Sequence, residues 1–199
     1  MSVETGPVGL LESLDIKYHT HTIALSRYQS EFQDVTRFLD CCKACHNYGQ
    51  QWVCPPLGFD PIRHLLPYSM VHLYGFQVMM PTILREKRYS AAEKYDLAYQ
   101  LARIIRKRVD PLLLTKEKEH PGSEAFFPGK CHLCPDGQCT RLATPPRPCR
   151  HKAYARHSLE QLGFDLSRSA SELLGVPMLW GTADTVPAYY LYIGALLTP

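Results

Sequence analysis

Residues 68–80 are mostly apolar, and His72 and Gln77 interrupt the run without breaking it. A stretch of that length with little alternation predicts a strand inside a sheet rather than at its rim. Residues 18–25, rich in β-branched and aromatic side chains, predict an earlier strand. Between the two, Phe32, Val35, Phe38 and Leu39 stand near helical spacing and predict a helix over about 29–40.

The clearest helix is predicted over about 89–114. Ser90 with Glu93 three residues later forms a capping-box pattern, and Leu97, Leu101, Ile104 or Ile105, Val109 and Leu112 then form an apolar stripe. Pro111 is expected to end or kink it. Residues 125–127 read as a short strand. Ser158 with Gln161, and Ser169 with Glu172, predict two short capped helices that stop at Gly163 and Gly175. Residues 178–181 and 188–197 read as closing strands. No repeat is apparent. The pattern predicts an α+β fold in a single domain over residues 1–199. A small mixed or antiparallel sheet packs with helices, and two cysteine-rich metal-binding loops, 41–54 and 131–149, gather at one edge.

With 199 residues, 45% hydrophobic and 21% charged, the chain is of a size and composition to bury a core. Its first residues carry neither a basic segment nor an apolar one, so a signal peptide is not expected. The late apolar run at 189–197 is too short to span a bilayer, and no membrane partner is expected. The chain is therefore assigned to a reducing cytoplasm, where eight cysteines serve as metal ligands more readily than as disulfide halves.

The cysteines fall in two groups: Cys41-Cys42-x2-Cys45-x8-Cys54, and Cys131-x2-Cys134-x4-Cys139-x9-Cys149. Cysteines serving only as small core hydrophobes would have no reason to cluster. A C-x2-C turn aims two sulfurs at one point, the pincer of a thiophilic metal site. Cys131, Cys134, Cys139 and Cys149 suffice for a complete four-thiolate site. In the first group Cys42, Cys45 and Cys54 are taken as ligands. Cys41 adjoins Cys42, and consecutive side chains in an extended segment point to opposite faces. Three arrangements stay open there: a non-cysteine or exogenous fourth ligand (His46 is at hand), Cys41 in a tight turn, or ligands exchanged between the groups.

The unequal spacings, and a proline after Cys54 and after Cys134, favour iron–sulfur loops over paired zinc knuckles. The expected cofactor is one or two [4Fe-4S] clusters, with zinc as the alternative. Gly129 and Gly137 allow backbone N–H groups to approach the sulfides. Two such clusters, each about −2 with its thiolates, would turn the formal charge of +3 into about −1. The basic residues thus do not require a nucleic-acid partner, and none is expected. Lys43, Lys130, Arg141, Arg147, Arg150 and Lys152 lie close in sequence to the cysteines and can offset cluster charge.

Cys42-x2-Cys45-x2-Tyr48-Gly49-x2-Trp52-x-Cys54-Pro-Pro is similar to the opening motif of a prokaryotic family of predicted metal-binding proteins of unknown function. The segment from Gly129 through Cys131, Cys134 and Cys139 to Cys149-Arg-His151, and then Ser158-x-Glu160-x2-Gly163-Phe-Asp165, resembles its second half. The family tends to place a proline where this chain has Lys152, and a methionine where it has Leu159; neither position is a proposed ligand. The resemblance, from about residue 18 onward, implies metal binding and no particular reaction.

Other residues have plainer readings. His19 and His21 share one face of a strand and read as structural. His132 and His151 flank ligand cysteines, where they either donate to thiolates or sit exposed in loops. Arg103, Arg106, Lys107 and Arg108 read as a solvated helix face, with an acidic electron-transfer partner as the sharper alternative. No nucleotide-binding or hydrolase motif is present. The leading expectation is electron transfer to a redox partner protein. The alternatives are an enzyme acting on a small molecule at an open iron site, and a structural zinc module.

Overall fold

A computed structural model describes residue 11 and residues 14–134 and 138–199. The reading of the first ten residues as lacking a signal peptide, and the roles given to Pro135 and Gly137, lie outside the described residues. In the order β1-β2-β4-β3, strands β1 (Ile16–Ala24), β2 (Met70–Met79), β3 (Glu124–Phe126) and β4 (Tyr189–Thr198) make one antiparallel sheet. Six α-helices accompany it among the described residues: α1 (Leu25–Phe32), α2 (Val35–Ala44), α3 (Pro61–Leu65), α4 (Thr82–Arg85), α5 (Ala91–Glu119) and α6 (Leu166–Arg168). The class is α+β.

The sheet is covered on both faces, which explains the nearly unbroken apolar run of β2. Val71 and Leu73 of β2, with Ile193, Ala195 and Leu197 of β4, face a core completed by Tyr28 and Phe32 of α1 and by Leu159, Leu162, Phe164 and Leu166. Phe76, Val78 and Leu196 point the other way, onto Leu101, Ile105, Val109 and Leu113 of α5. This is the two-residue period of a strand meeting the stripe of a helix.

Helix α5 begins at the expected capping box, where the Glu93 N–H donates to Ser90 Oγ at 3.2 Å and the Ser90 N–H to Glu93 Oε2 at 2.8 Å. It runs on through Pro111 to Glu119, against expectation. A proline removes one backbone hydrogen bond, at about 3 kcal/mol. The stripe that buries Leu101, Ile105, Val109 and Leu113 completely against the sheet offsets that loss. The predicted helix over 29–40 is instead two helices. Gln33 forms a bridge with Phe164, the Asp34 N–H donates to the Gly163 carbonyl at 2.8 Å, and Asp34 caps α2 by accepting from the Arg37 N–H. Residues 178–181 form no strand: the Thr182 N–H donates to Thr185 Oγ1 at 3.2 Å in a turn, and Gly181 packs directly onto the Thr185 carbonyl. The expected helix capped by Ser169 starts earlier, with Asp165 accepting from the Arg168 N–H at 3.0 Å, and Ser169 lies buried inside.

Candidate metal centre

The last turn of α2 carries Cys41 and Cys42, and Cys45 caps its C-terminus. The loop that follows brings Cys54 back to them. Cys42, Cys45 and Cys54 line one cavity of about 150 Å³ together with Gly129, Lys130 and Glu160. Cys41 is exposed and outside that lining. The two neighbours sit on a helix, about 100° apart around its axis, rather than in an extended segment.

The second group follows the edge strand β3. Cys131, Cys134, Cys139 and Cys149 line a cavity of about 250 Å³, with Trp52, His132 and His151 in its wall. Lys130 lines both cavities, and Cys54 lies close enough to Cys131 for their charges to interact, so the two spaces adjoin.

The loops are knitted by side chains from each into the backbone of the other. Gln51 pairs with Cys131 as a strand would: its Oε1 accepts from the Cys131 N–H at 2.9 Å and its Nε2 donates to the Cys131 carbonyl at 3.1 Å. Arg141 reaches back to donate to the carbonyls of Gln51, Cys54 and Pro56 at 2.7, 2.6 and 3.1 Å, and its guanidinium lies over the Trp52 ring. The Trp52 indole N–H donates to Thr140 Oγ1 and to the Arg147 carbonyl.

Donors surround the sulfurs. The Asn47 N–H and side-chain amide lie 3.4 and 3.6 Å from Cys45 Sγ, the Gln161 amide 3.8 Å from Cys54 Sγ, and the His151 N–H 3.4 Å from Cys149 Sγ. Burial pushes the Cys54 thiol up to about 12, and the neighbouring cysteines add to the shift. Burial also raises Cys42, helped by the charge of Glu160, and raises Cys131 against the pull of Arg106. Burial holds His132 down, at about 4, with Arg106, Lys130 and Arg103 adding to it. Loading a metal onto such thiols must release protons.

Three residues have roles here that their sequence pattern does not give: Arg106, Glu160 and Gln51. Arg106, read as part of a solvated patch, is only 3% exposed. It pairs with Asp110 one turn on and donates to the carbonyls of Pro128 and Lys130, fixing the backbone just before Cys131. The signal was present: positions 106 and 110 adjoin the buried 101-105-109-113 stripe. Glu160 enters the sequence pattern only as part of the motif Ser158-x-Glu160-x2-Gly163, with no role attached, and Gln51 carries no sequence signal of its own. His19, by contrast, is engaged by Gln77 at 3.0 Å on the sheet, in keeping with a structural role.

Among the described residues, no three His, Cys, Asp or Glu side chains converge tightly enough to hold a single metal ion. The thiols ring spaces instead. The donor set still fits a thiophilic metal group: four cysteines around one cavity, three around the next, and beside the three a carboxylate oxygen that is buried without a hydrogen-bond partner. Residues 27–197 match the family described as "Predicted metal-binding protein (DUF2284)". The chain belongs to that family. Searches of the curated proteins and of the solved structures return no match. No helix among the described residues is long and apolar enough to cross a membrane.

Proposed function

We propose that this member of the metal-binding family carries two iron–sulfur clusters, one in each cavity, and passes single electrons to and from a redox partner protein in the cytoplasm. The supporting observation is the lining of the second cavity, where Cys131, Cys134, Cys139 and Cys149 surround one space beside a second that Cys42, Cys45 and Cys54 share. Bound there, a four-iron cluster supplies one-electron transfer at a potential set by its surroundings.

The chain's own residues provide those surroundings. N–H donors from Asn47, Gln161 and His151 point at ligand sulfurs and favour the more electron-rich state, which raises the potential. Arg106 and Lys130 place positive charge beside the cavities. Trp52 and Val53 form part of the wall of the second cavity. The neighbouring placement of Cys54 and Cys131 suits relay from one site to the other.

A specific observation favours a second reading. A further cavity of about 340 Å³, lined by Tyr95, Tyr99, Tyr192, His46 and Glu160, adjoins the first metal site and has room for a small-molecule substrate. Anaerobically isolated protein titrated with dithionite tests the two. Electron carriage predicts reversible bleaching of visible absorption and a new EPR signal that small molecules do not alter. A signal that changes on adding a small molecule moves the assignment to the enzyme. A colourless protein with no spectral response overturns both.

A further inference from the structure

The first cavity holds one thiol fewer than the second. Three cysteines leave one corner of a four-iron cluster, or one vertex of a tetrahedral site, without a protein ligand. His46 and Cys41 are the candidates nearest in sequence, and neither lines this cavity. His46 faces the other two spaces, and its Nε2 lies 3.1 Å from the Asn47 side-chain amide. Cys41 is exposed.

Glu160 does line it. Among the described residues, Glu160 Oε2 is the buried side-chain oxygen or nitrogen that has no hydrogen-bond partner. Leaving a carboxylate oxygen shut from water and unpaired is costly, and native structures rarely do it without a reason. A cation at the neighbouring thiols supplies one.

The placement is built into the backbone. Residues 162–165 zip onto residues 32–35: the Gln33 side chain donates to the Leu162 carbonyl at 2.8 Å, the Asp34 N–H to the Gly163 carbonyl at 2.8 Å, and the Asp165 N–H to the Phe32 carbonyl at 2.8 Å. Gly163 turns with φ at +92°, and a Cβ there would stand 2.6 Å from Val35 Cα. The turn bearing Glu160 is thus pressed onto the first residue of α2, whose last turn delivers Cys42. One junction positions both donors.

We propose that Glu160 is the fourth protein ligand of the first metal site, completing Cys42, Cys45 and Cys54 as a set of three thiolates and one carboxylate. This rests on reading that cavity as a metal site. A carboxylate is a harder donor than thiolate and the more readily exchanged on a thiophilic metal. Glu160 also lines the 340 Å³ cavity, so one residue borders both the first metal site and the neighbouring space.

The test compares wild type with Glu160→Ala, Glu160→Gln and Glu160→Cys, all isolated anaerobically, by iron, zinc and sulfide content and by EPR after mild oxidation. In Glu160→Ala and Glu160→Gln the first site should lose about one iron of about four and give a three-iron EPR signal. Glu160→Cys should retain wild-type iron with a lowered reduction potential. The cluster at Cys131–Cys149, unchanged in all variants, reports that the chain is folded. Wild-type iron and unchanged EPR in Glu160→Ala would overturn the assignment, as would equal iron loss in the Ala and Cys variants. If wild type holds zinc and no iron, the iron–sulfur reading fails on its own. The ligand is then judged by zinc: loss of about one zinc in Glu160→Ala upholds it, and an unchanged content overturns it.

Discussion

Arg106→Met removes a buried guanidinium and leaves its partners behind. Asp110, 8% exposed, would keep a carboxylate whose ionised form burial already disfavours. The carbonyls of Pro128 and Lys130 would lose their donor. Removing one member of a buried pair costs about 3–5 kcal/mol. For a chain of 199 residues that lowers the melting temperature by about 6–20 °C. The double variant Arg106→Met/Asp110→Leu also removes the stranded charge. It should recover part of the loss, short of wild type because each of the two orphaned carbonyls still costs about 1–3 kcal/mol. The assay is thermal unfolding by circular dichroism on anaerobic protein of matched metal content. A single variant within about 1 kcal/mol of wild type, or a double variant no more stable than the single, would mean that the buried pair does not hold this backbone.

Further expectations concern the loops, the junction and acid stability. Gln51→Ala breaks both bonds to the Cys131 backbone, so metal content at the second site should fall even though no ligand is touched; metal analysis per chain reads this. Cys41→Ser should leave metal content unchanged, because Cys41 lies outside both cavity linings; a loss would make it a ligand. Gly163→Ala combines a left-handed backbone with a Cβ 2.6 Å from Val35 Cα and should cost at least about 1–3 kcal/mol by chemical denaturation. Burial pushes the Glu117 carboxyl up, but Arg156, with its Nε 2.8 Å from Glu117 Oε1, and the Ala125 N–H outweigh it and hold the group below its ordinary value. Its stabilisation is therefore present above the unfolded value, near 4.3, and is lost as pH falls through the lower folded value. Glu117→Gln should destabilise at neutral pH and flatten the acid limb of a stability–pH curve.

Local patterning made much of the sheet legible. The run at 68–80 became a central strand because both faces of the sheet are covered, and the capping box at Ser90 began the long helix where expected. What failed depended on contacts distant in sequence. Pro111 did not stop α5, because the sheet beneath it holds both flanking turns. The helix predicted over 29–40 broke at Gln33 because residues 163–164 compete for its backbone. Residues 178–181 had a strand's composition but, among the described residues, no strand beside them to pair with.

The candidate site divides in the same way. Cysteine spacing pointed to two groups, and the fold arranges them around two adjoining spaces. Arg106 was misread because a charge next to an apolar stripe looks the same in sequence whether it faces water or a loop backbone. Glu160 stands 106 residues beyond Cys54, and only the pairing of 32–35 with 162–165 brings it to the first cavity. No local pattern carries that information.

Everything proposed for the two cysteine-lined cavities turns on whether they hold iron–sulfur clusters. Iron, acid-labile sulfide and zinc, quantified per chain on anaerobically isolated protein, address it most directly. Two four-iron clusters require about eight iron and about eight sulfide, with zinc negligible. One or two zinc per chain, with neither iron nor sulfide, would contradict the iron–sulfur reading.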